Sequence, residues 1–201
     1  MNRIEIQKHY RDLVQQHGDT VEAAQYSSRE SQEKRFEVLC EIADLNNSKI
    51  LDFGCGTGHL ASYLKVLGVS VDYTGVDIVE EFFDYGRQKH PEHRFGKMED
   101  FDDEQFDYAF VSGVFNNKMS RNKEFYQQVL KQLYSRVTKG IAFNMMSKYV
   151  DFEDESLFYA YPEEVFTFVK SNLSQYVCLR NDYQVKPGVL PFEFAVYVYK
   201  H

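Results

Sequence analysis

The sequence predicts an α/β fold with a doubly wound, mostly parallel sheet, and three observations carry this prediction. An apolar run at 50–53 leads through three alternating glycines into a helical pattern that includes Leu60 and Leu64, which is the order of a strand, a turn and a helix. Further short apolar segments alternate with helical patterns, as parallel strands and their crossover helices do. The strictly alternating segment 192–199 is typical of an antiparallel strand with one covered face. We therefore expect a mostly parallel sheet whose C-terminal strand is antiparallel.

Length and composition limit the possible functions. The 201 residues fit a single domain, which we expect to consist of a helical cap at 1–47 and a sheet with its loops at 48–201. A net charge of −8 argues against nucleic acid or an anionic membrane as partner, because binding phosphates relies on clustered Lys and Arg. No apolar run is long enough to span a bilayer.

The cysteine content favours a reducing compartment. Three scattered cysteines match neither a disulfide framework nor the ligand spacing of a zinc site. We expect reduced thiols, a cytoplasmic location and no metal. The oligomeric state stays open.

Two helices are predicted ahead of the first strand. Apolar residues recur at helical spacing from Ile6 to Val14. A capping box from Ser27 to Glu30 predicts the start of the second helix, whose apolar stripe includes Phe36. Both helices precede the strand that opens the sheet.

The stretch 50–61 reads Ile-Leu-Asp-Phe-Gly-Cys-Gly-Thr-Gly-His-Leu-Ala and predicts a ligand site. Glycine adopts positive φ and lets a ligand approach without meeting a Cβ, and the helix start presents unpaired N–H groups and a positive dipole end. The string Gly56-x-Gly58-x-x-Ala61 satisfies the dinucleotide fingerprint. A nicotinamide site therefore stays open, as does a purely structural turn.

The wider string from Leu51 to Gly58, with an acid ahead of the alternating glycines, resembles the first motif of class I S-adenosylmethionine (SAM)-dependent methyltransferases. The resemblance is specific from about 49 to 77, looser to 115 and architectural beyond that. It implies a Rossmann-like seven-stranded fold, SAM as cofactor and N-terminal helices that cover it. The cofactor contacts it implies in this motif are Asp52, Gly54, Cys55, Gly56 and Gly58.

An arginine ahead of the first strand reaches the methionine carboxylate in some members of this family. Arg35 stands at that position, 17 residues before Asp52. The resemblance therefore implies a cofactor contact for Arg35, and a solvated arginine on the polar face of a helix is the alternative.

The second predicted strand ends in Asp77, 23 residues after Gly54. A carboxylate at this distance from a glycine loop can accept both ribose hydroxyls of an adenosine ligand, in NAD and SAM proteins alike. The alternative is an N-cap for the next helix. We predict that Asp77 and the following Ile78 contact the cofactor.

The segment after the third predicted strand reads Gly-Lys-Met-Glu-Asp at 96–100. Methyltransferases often have Gly-Asp-Ala-Glu-Asp here, with a backbone N–H and an acid that hold the adenine. Because Lys97 replaces the first acid, the resemblance implies that this contact shifts to Met98 and to Glu99 or Asp100. For most of the acids in this loop the alternative is simple solvation.

The fourth predicted strand, 106–111, leads into Ser112. Ligands of open α/β sheets lie beyond the carboxyl ends of the strands, where the strand order reverses. We therefore predict that Ser112 contacts the cofactor and that 112–116 faces the transferred methyl group. Asn116 is either a cap or an acceptor contact, and the long segment 145–161 is either a lid or a surface flap. The predicted pocket walls are Tyr26, Phe115, Asn116, Met145 and Tyr149.

The sequence thus predicts a SAM-dependent methyltransferase with a small-molecule acceptor. Methyl transfer depends chiefly on the alignment of the two reactants and on a pocket that excludes water. None of the six histidines occupies a position expected of a general base. We therefore assign no catalytic residue. Two other classes stay open: an NAD(P)-dependent oxidoreductase, and a non-catalytic relative that binds SAM, or nothing, as a partner subunit.

Overall fold

The computed structural model describes residues 1–200, and eight strands of this part of the chain form one sheet. The strands are β1 (Ser48–Phe53), β2 (Val71–Val76), β3 (Arg94–Gly96), β4 (Phe106–Val111), β5 (Val137–Ser147), β6 (Tyr159–Ala160), β7 (Val177–Arg180) and β8 (Glu193–Tyr199). The α-helices are α1 (Arg3–His17), α2 (Arg29–Cys40), α3 (His59–Val66), α4 (Glu80–Lys89), α5 (Asn122–Arg136) and α6 (Pro162–Asn172). Short 3₁₀ segments lie at Glu22–Ala24 and Met98–Phe101.

The strand order is β3-β2-β1-β4-β5-β8-β7, and β6 pairs with β5 outside this path. Strands β1 to β5 are parallel, whereas β8 is antiparallel to both of its neighbours. The predicted doubly wound sheet with an antiparallel C-terminal strand is confirmed. The two-residue β6 is an addition, because it lies within the segment 145–161, which was predicted to be a lid or a surface flap.

Helices cover both faces of the sheet, and the side chains of the strands alternate between two cores. On one face Leu51, Ala109 and Ile141 pack with α5 and α6. On the other face Ile50 and Phe110 pack with α2 and α3. Neighbouring residues of a strand point to opposite faces, so the unbroken apolar runs of the sequence follow from burial on both sides.

Strand β8 is buried from Glu193 to Val198, which differs from the predicted half-covered strand. One face packs under α6 through Val196 and Val198. The other face, which carries Glu193, Ala195 and Tyr197, lies under α2, and the Tyr197 hydroxyl donates to the carbonyl of Val38. The alternation with polar residues therefore marks a polar buried site rather than a solvent face.

The N-terminal region forms a cover with its own small core. Helix α1 packs on α4 through a cluster of Val14, Ala23, Val79 and Phe82. Helix α2 begins one residue later than the predicted capping box requires, since Ser28 is the N-cap and its Oγ accepts from the backbone N–H of Ser31 at 3.2 Å. Over residues 1–200, none of the helices combines the length and apolarity that crossing a bilayer requires.

The close packing between β5 and β8 can be tested by a substitution at Gly140. A Cβ at this position would lie 2.7 Å from the backbone oxygen of Val198. Exchange of Gly for Ala usually stabilises by about 0.4–1 kcal/mol through the unfolded chain, but this overlap forces the strands apart. We expect Gly140→Ala to lower the free energy of unfolding by roughly 1–3 kcal/mol, measured by urea denaturation.

The matched control is Lys139→Ala at the preceding, exposed position, whose ion pair with Asp107 contributes less than about 1 kcal/mol. A Gly140→Ala protein as stable as the wild type would contradict the strand packing described here.

Candidate functional site

A cavity of about 1070 Å³ lies at the carboxyl ends of the parallel strands. Residues that follow β1, β2 and β4 line it, among them Gly54, Asp77 and Ser112. Helix α1 and the start of α2 line it from the N-terminal cover. Since the strand order reverses between β1 and β4, the cavity occupies the place where open α/β sheets bind ligands.

The glycine loop after β1 presents bare backbone to this cavity. Gly54, Gly56 and Gly58 all have positive φ, at 78°, 52° and 76°. A Cβ at Gly54 would overlap Val114, and one at Gly58 would lie 2.8 Å from the ring of Phe95. At Gly56, which lines the cavity, an added Cβ meets no protein atom within 4 Å. The loop thus leaves room for a ligand at Gly56, whereas Gly58 serves packing.

The carboxylate of Asp77 ties the glycine loop to the end of β2. Its Oδ2 accepts from the backbone N–H of Gly56 at 3.0 Å, and its Oδ1 accepts from Ile78 and Val79 at 2.7 and 3.1 Å. Burial raises the pKa of Asp77, although the three hydrogen bonds act to lower it. A carboxylate oxygen has two lone-pair sites, so Oδ2 keeps one for a ligand in the cavity, while Oδ1 is fully used.

Asp52 lies behind the loop and is only 4% exposed. The hydroxyl of Tyr73 donates to its Oδ2 at 2.6 Å. Burial raises the pKa of Asp52 to about 7, with the charge of Asp77 adding to the shift and the Tyr73 bond opposing it. Because Asp52 lines the cavity, a cationic ligand there would favour its ionised form.

At the far side of the cavity, Met98 and Glu99 lie in the 3₁₀ turn after β3. Met98 is buried and Glu99 is exposed. Asp100 is committed to the turn, because its Oδ2 accepts from the backbone N–H of Lys97 at 2.8 Å. Of the two predicted acids, Glu99 is the one that lines the cavity.

Tyr26 and Ser112 form the wall beside the glycine loop, since Ser112 follows β4, the strand next to β1. The hydroxyl of Tyr26 lies 3.2 Å from both the carbonyl oxygen and the Oγ of Ser112. The next residue, Gly113, has a φ of 74°, and a Cβ there would lie 2.8 Å from the same hydroxyl. Burial raises the pKa of Tyr26, so the wall presents a neutral phenol to the cavity.

Three of the five predicted pocket walls are wrong. Phe115 is 2% exposed and packs edge-on against Phe143 in the core. Met145 is 1% exposed, because β5 continues to Ser147 and keeps it inside the sheet. Tyr149 is 57% exposed and donates to Glu163. Tyr26 and Asn116 do line the cavity.

Arg35 is buried, so the alternative of a solvated arginine is wrong. It is 8% exposed and its Nε donates to Oε2 of Glu193 at 2.9 Å. Its Nη1 donates to the carbonyl of Ser31 at 2.8 Å, and its guanidinium lies 5.2 Å from the ring centroid of Tyr26. Arg35 lines the cavity with its charge already compensated.

Arg29 also lines the cavity, and sequence analysis did not single it out. Its Nη1 donates to Gln32 at 3.2 Å, and no carboxylate of the described residues lies within 4 Å of its guanidinium. Arg29 lies on the side of the cavity that the glycine loop forms. Burial disfavours the charge of Asp19, but hydrogen bonds to Lys89 and Thr57 lower the pKa of Asp19 overall, and the charge of Arg29 acts in the same direction.

Ten of the eleven predicted cofactor residues line this one cavity, and Gly58 does not. The ten are Arg35, Asp52, Gly54, Cys55, Gly56, Asp77, Ile78, Met98, Glu99 and Ser112. Gln7 and Tyr10 of α1 line it as well, and Gln7 donates to the carbonyl of Ile78 at 2.6 Å. Helical periodicity predicts that α1 exists but does not reveal that its residues line a cavity. In the part of the chain that the structure describes, no group of three or more His, Cys, Asp or Glu side chains could hold a metal ion.

Comparisons with known proteins agree on one family. A family model described as a methyltransferase domain matches residues 44–160. Rv1506c of Mycobacterium tuberculosis, which is named as a methyltransferase, is 30% identical over 164 residues, covering 75% of this chain and 92% of that protein.

Solved structures share the fold. Magnesium protoporphyrin IX methyltransferase ChlM from Synechocystis PCC 6803, with bound S-adenosylhomocysteine (SAH), aligns over the whole of both chains with a TM-score of 0.71 at 12% identity. The CcbJ methyltransferase from Streptomyces caelestis aligns over 95% of this chain and 97% of its own with a TM-score of 0.63 at 16% identity.

The raised pKa of Asp52 makes stability depend on pH in a defined direction. Its folded-state pKa of about 7 lies above the usual value of about 3.9, so the folded protein holds an extra proton between about pH 4 and pH 7. The stability of the wild type relative to Asp52→Asn should therefore fall as the pH rises through this window, by a few kcal/mol in total. Urea unfolding of both proteins at several pH values measures this difference.

The control is Val66→Ala, at a residue that is 85% exposed and carries no ionisable group, for which the difference from the wild type should stay nearly constant. An equally constant difference for Asp52→Asn would contradict a protonated Asp52 below pH 7.

Proposed function

Since the chain belongs to the methyltransferase domain family, whose model matches residues 44–160, we propose that it transfers a methyl group from SAM to a small-molecule acceptor. The observation that carries this proposal is one continuous cavity that joins the bare backbone of Gly56 and the carboxylate of Asp77 to the wall of Tyr26 and Ser112. A cofactor site and an acceptor site that share one cavity allow direct transfer between two bound molecules.

The residues present fit an adenosyl ligand. The remaining lone-pair site on Oδ2 of Asp77 would accept from a ribose hydroxyl, and Gly56 would let the ligand lie against the backbone. Met98 would pack on the adenine, and Glu99 would accept from its amino group. When bound, SAM supplies an electrophilic methyl group whose C–S bond breaks with the electron pair remaining on sulfur.

We assign the methionine carboxylate to Arg29 in preference to Arg35. The guanidinium of Arg35 already pairs with Glu193 and Ser31, and releasing it would leave a buried carboxylate unpaired, which is costly. Arg29 lines the cavity on the glycine-loop side without a carboxylate of its own. A ligand carboxylate would supply the partner that Arg29 lacks.

The acceptor is proposed to be small and uncharged at its reacting end. The wall beside the glycine loop consists of the neutral groups of Tyr26, Ser112 and Asn116. Residues of the segment 154–157 line the same cavity, and the segment is held to the chain after Asn116, since the backbone N–H of Lys118 donates to the carbonyl of Ser156 at 2.9 Å. Such an enclosed lining suits a metabolite oriented by a few polar groups, and a net charge of −8 repels a phosphate backbone.

We also propose a cytoplasmic location, supported by three free cysteines among the described residues.

Calorimetry with two ligands tests the assignment of Arg29. SAH carries the methionine carboxylate, whereas 5′-methylthioadenosine lacks it. Loss of a hydrogen bond to a charged group costs about 1.5–3 kcal/mol, so Arg29→Gln should weaken SAH binding about tenfold to a hundredfold and leave 5′-methylthioadenosine almost unaffected. Arg35→Gln is the matched comparison. A selective loss of SAH binding in Arg35→Gln, with none in Arg29→Gln, would restore the sequence-based assignment.

A methyl-transfer screen tests the function itself. Labelled SAM should pass its methyl group to a component of a small-molecule extract and not to DNA or RNA oligonucleotides. Gly56→Ala is the loss-of-function control, because its added methyl meets no protein atom within 4 Å and would occupy ligand space at the cavity edge. Alanine at a φ of 52° costs about 1–2 kcal/mol of backbone strain, so circular dichroism must show that the variant is folded. Label on the oligonucleotides would overturn the acceptor class. SAH binding without any transfer would favour the non-catalytic alternative, and preferential binding of NADH would favour an oxidoreductase.

A further inference from the structure

Glu193 is a buried carboxylate that the reaction, as proposed, does not use. It opens β8 and is 1% exposed. Its Oε2 accepts from Nε of Arg35 at 2.9 Å, and its Oε1 accepts from Nδ2 of Asn144 at 3.1 Å and from the hydroxyl of Tyr183 at 3.3 Å. Glu193 therefore stands at the centre of a hydrogen-bonded network.

One branch of this network reaches the loop after β4. Asn144 is 1% exposed and lies on β5. While its Nδ2 donates to Glu193, its Oδ1 accepts from the backbone N–H of Gly113 at 2.8 Å. The carboxylate thus fixes the orientation of the Asn144 amide, and the amide fixes the backbone next to Ser112.

The other branch reaches the same place from α2. Glu193 holds the guanidinium of Arg35 over the ring of Tyr26, 5.2 Å from its centroid. The hydroxyl of Tyr26 in turn contacts the carbonyl and the Oγ of Ser112 at 3.2 Å. Both branches therefore end at the Tyr26–Ser112 wall of the cavity, although Glu193 itself lies behind that wall.

We propose that Glu193 is a positioning residue for methyl transfer, which fixes Tyr26 and the Ser112–Gly113 backbone as the wall against which the acceptor is seated. It acts through Arg35 and Asn144 and touches neither substrate. The inference rests on the proposed function in that it assigns the wall to the acceptor side. Stability alone does not account for the network, because apolar residues of similar volume often replace a buried ion pair with no loss of stability.

The network gives Tyr26 a spectroscopic signature. Burial raises the pKa of Tyr26, the charge of Arg35 lowers it, and the charge of Glu193 raises it. Glu193→Gln keeps an oxygen for Asn144 but sets an amide N–H against Nε of Arg35, so it breaks the Arg35 branch alone. The ring resonance of Tyr26 should then move, because Arg35 is no longer held over the ring, and the titration of Tyr26 should change because both nearby charges change. NMR on ¹³C-labelled tyrosine, with the signal assigned from Tyr26→Phe, measures both.

The consequence for transfer is tested with a variant that keeps the volume of the pair. Arg35→Met with Glu193→Met removes both buried charges together, so it should fold even where Glu193→Gln is destabilised. We expect the variant to stay folded at the assay temperature, with a lowered melting temperature because Nδ2 of Asn144 and the hydroxyl of Tyr183 lose their acceptor. Its affinity for 5′-methylthioadenosine should match the wild type. Methyl transfer from labelled SAM to the same small-molecule extract should fall at least tenfold. Glu104→Gln, in an ion-pair group outside the cavity, is the matched control and should transfer at the wild-type rate.

Two results would overturn the inference. One is an unchanged Tyr26 resonance and pKa in Glu193→Gln, and the other is a stable double methionine variant with wild-type transfer. A wild type that binds no SAH and transfers no label would instead overturn the proposed function, and the Tyr26 measurement would then decide alone whether Glu193 positions the wall.

Discussion

The convergence of three backbone N–H groups on the carboxylate of Asp77 is the contact on which the rest of the site depends. It joins the loop after β1 to the loop after β2, and the N–H groups of Gly54 and Cys55 strengthen this junction by donating to the carbonyl of Val76 at 2.8 and 3.1 Å. The glycine loop is thereby held in a conformation that only glycine adopts without strain. The glycine loop, which forms the floor of the cavity, is consequently tied to the ends of β1 and β2.

The two sides of the cavity differ in how firmly they are held. Its floor and its Tyr26–Ser112 wall are backed by the two large cores and by the Glu193 network. The cover rests on a small apolar cluster around Val14 and Phe82 and on polar contacts, such as the bond from Asn117 to the hydroxyl of Tyr10 at 2.7 Å. Segments with few buried apolar contacts open most easily, so we expect α1 to be held less firmly than the floor of the cavity.

Much of the cavity lining could be predicted from the sequence, because it depends on short motifs. Alternating glycines after an apolar run, and Asp77 at the end of the next strand, located the cavity because their roles depend on backbone geometry close to each residue. The roles of Arg35 and Glu193 were not accessible in this way, since the two residues are 158 positions apart and only the fold brings them together. The pattern of β8 predicted a solvent face for Glu193, because alternation does not reveal that α2 covers this face. Phe115 and Met145 were misplaced for a similar reason, since the length of β5 and the packing of α5 decide what lies inside.

As proposed, one cavity holds both the cofactor and the acceptor, with Asp77 at one end and the Tyr26–Ser112 wall at the other. A crystal structure of the protein with SAH tests this arrangement most directly. We expect a ribose hydroxyl within hydrogen-bonding distance of Oδ2 of Asp77, the sulfur directed towards Tyr26 and Ser112, and Arg35 still paired with Glu193. SAH bound outside this cavity, or bound within it with the ribose away from Asp77, would contradict the account.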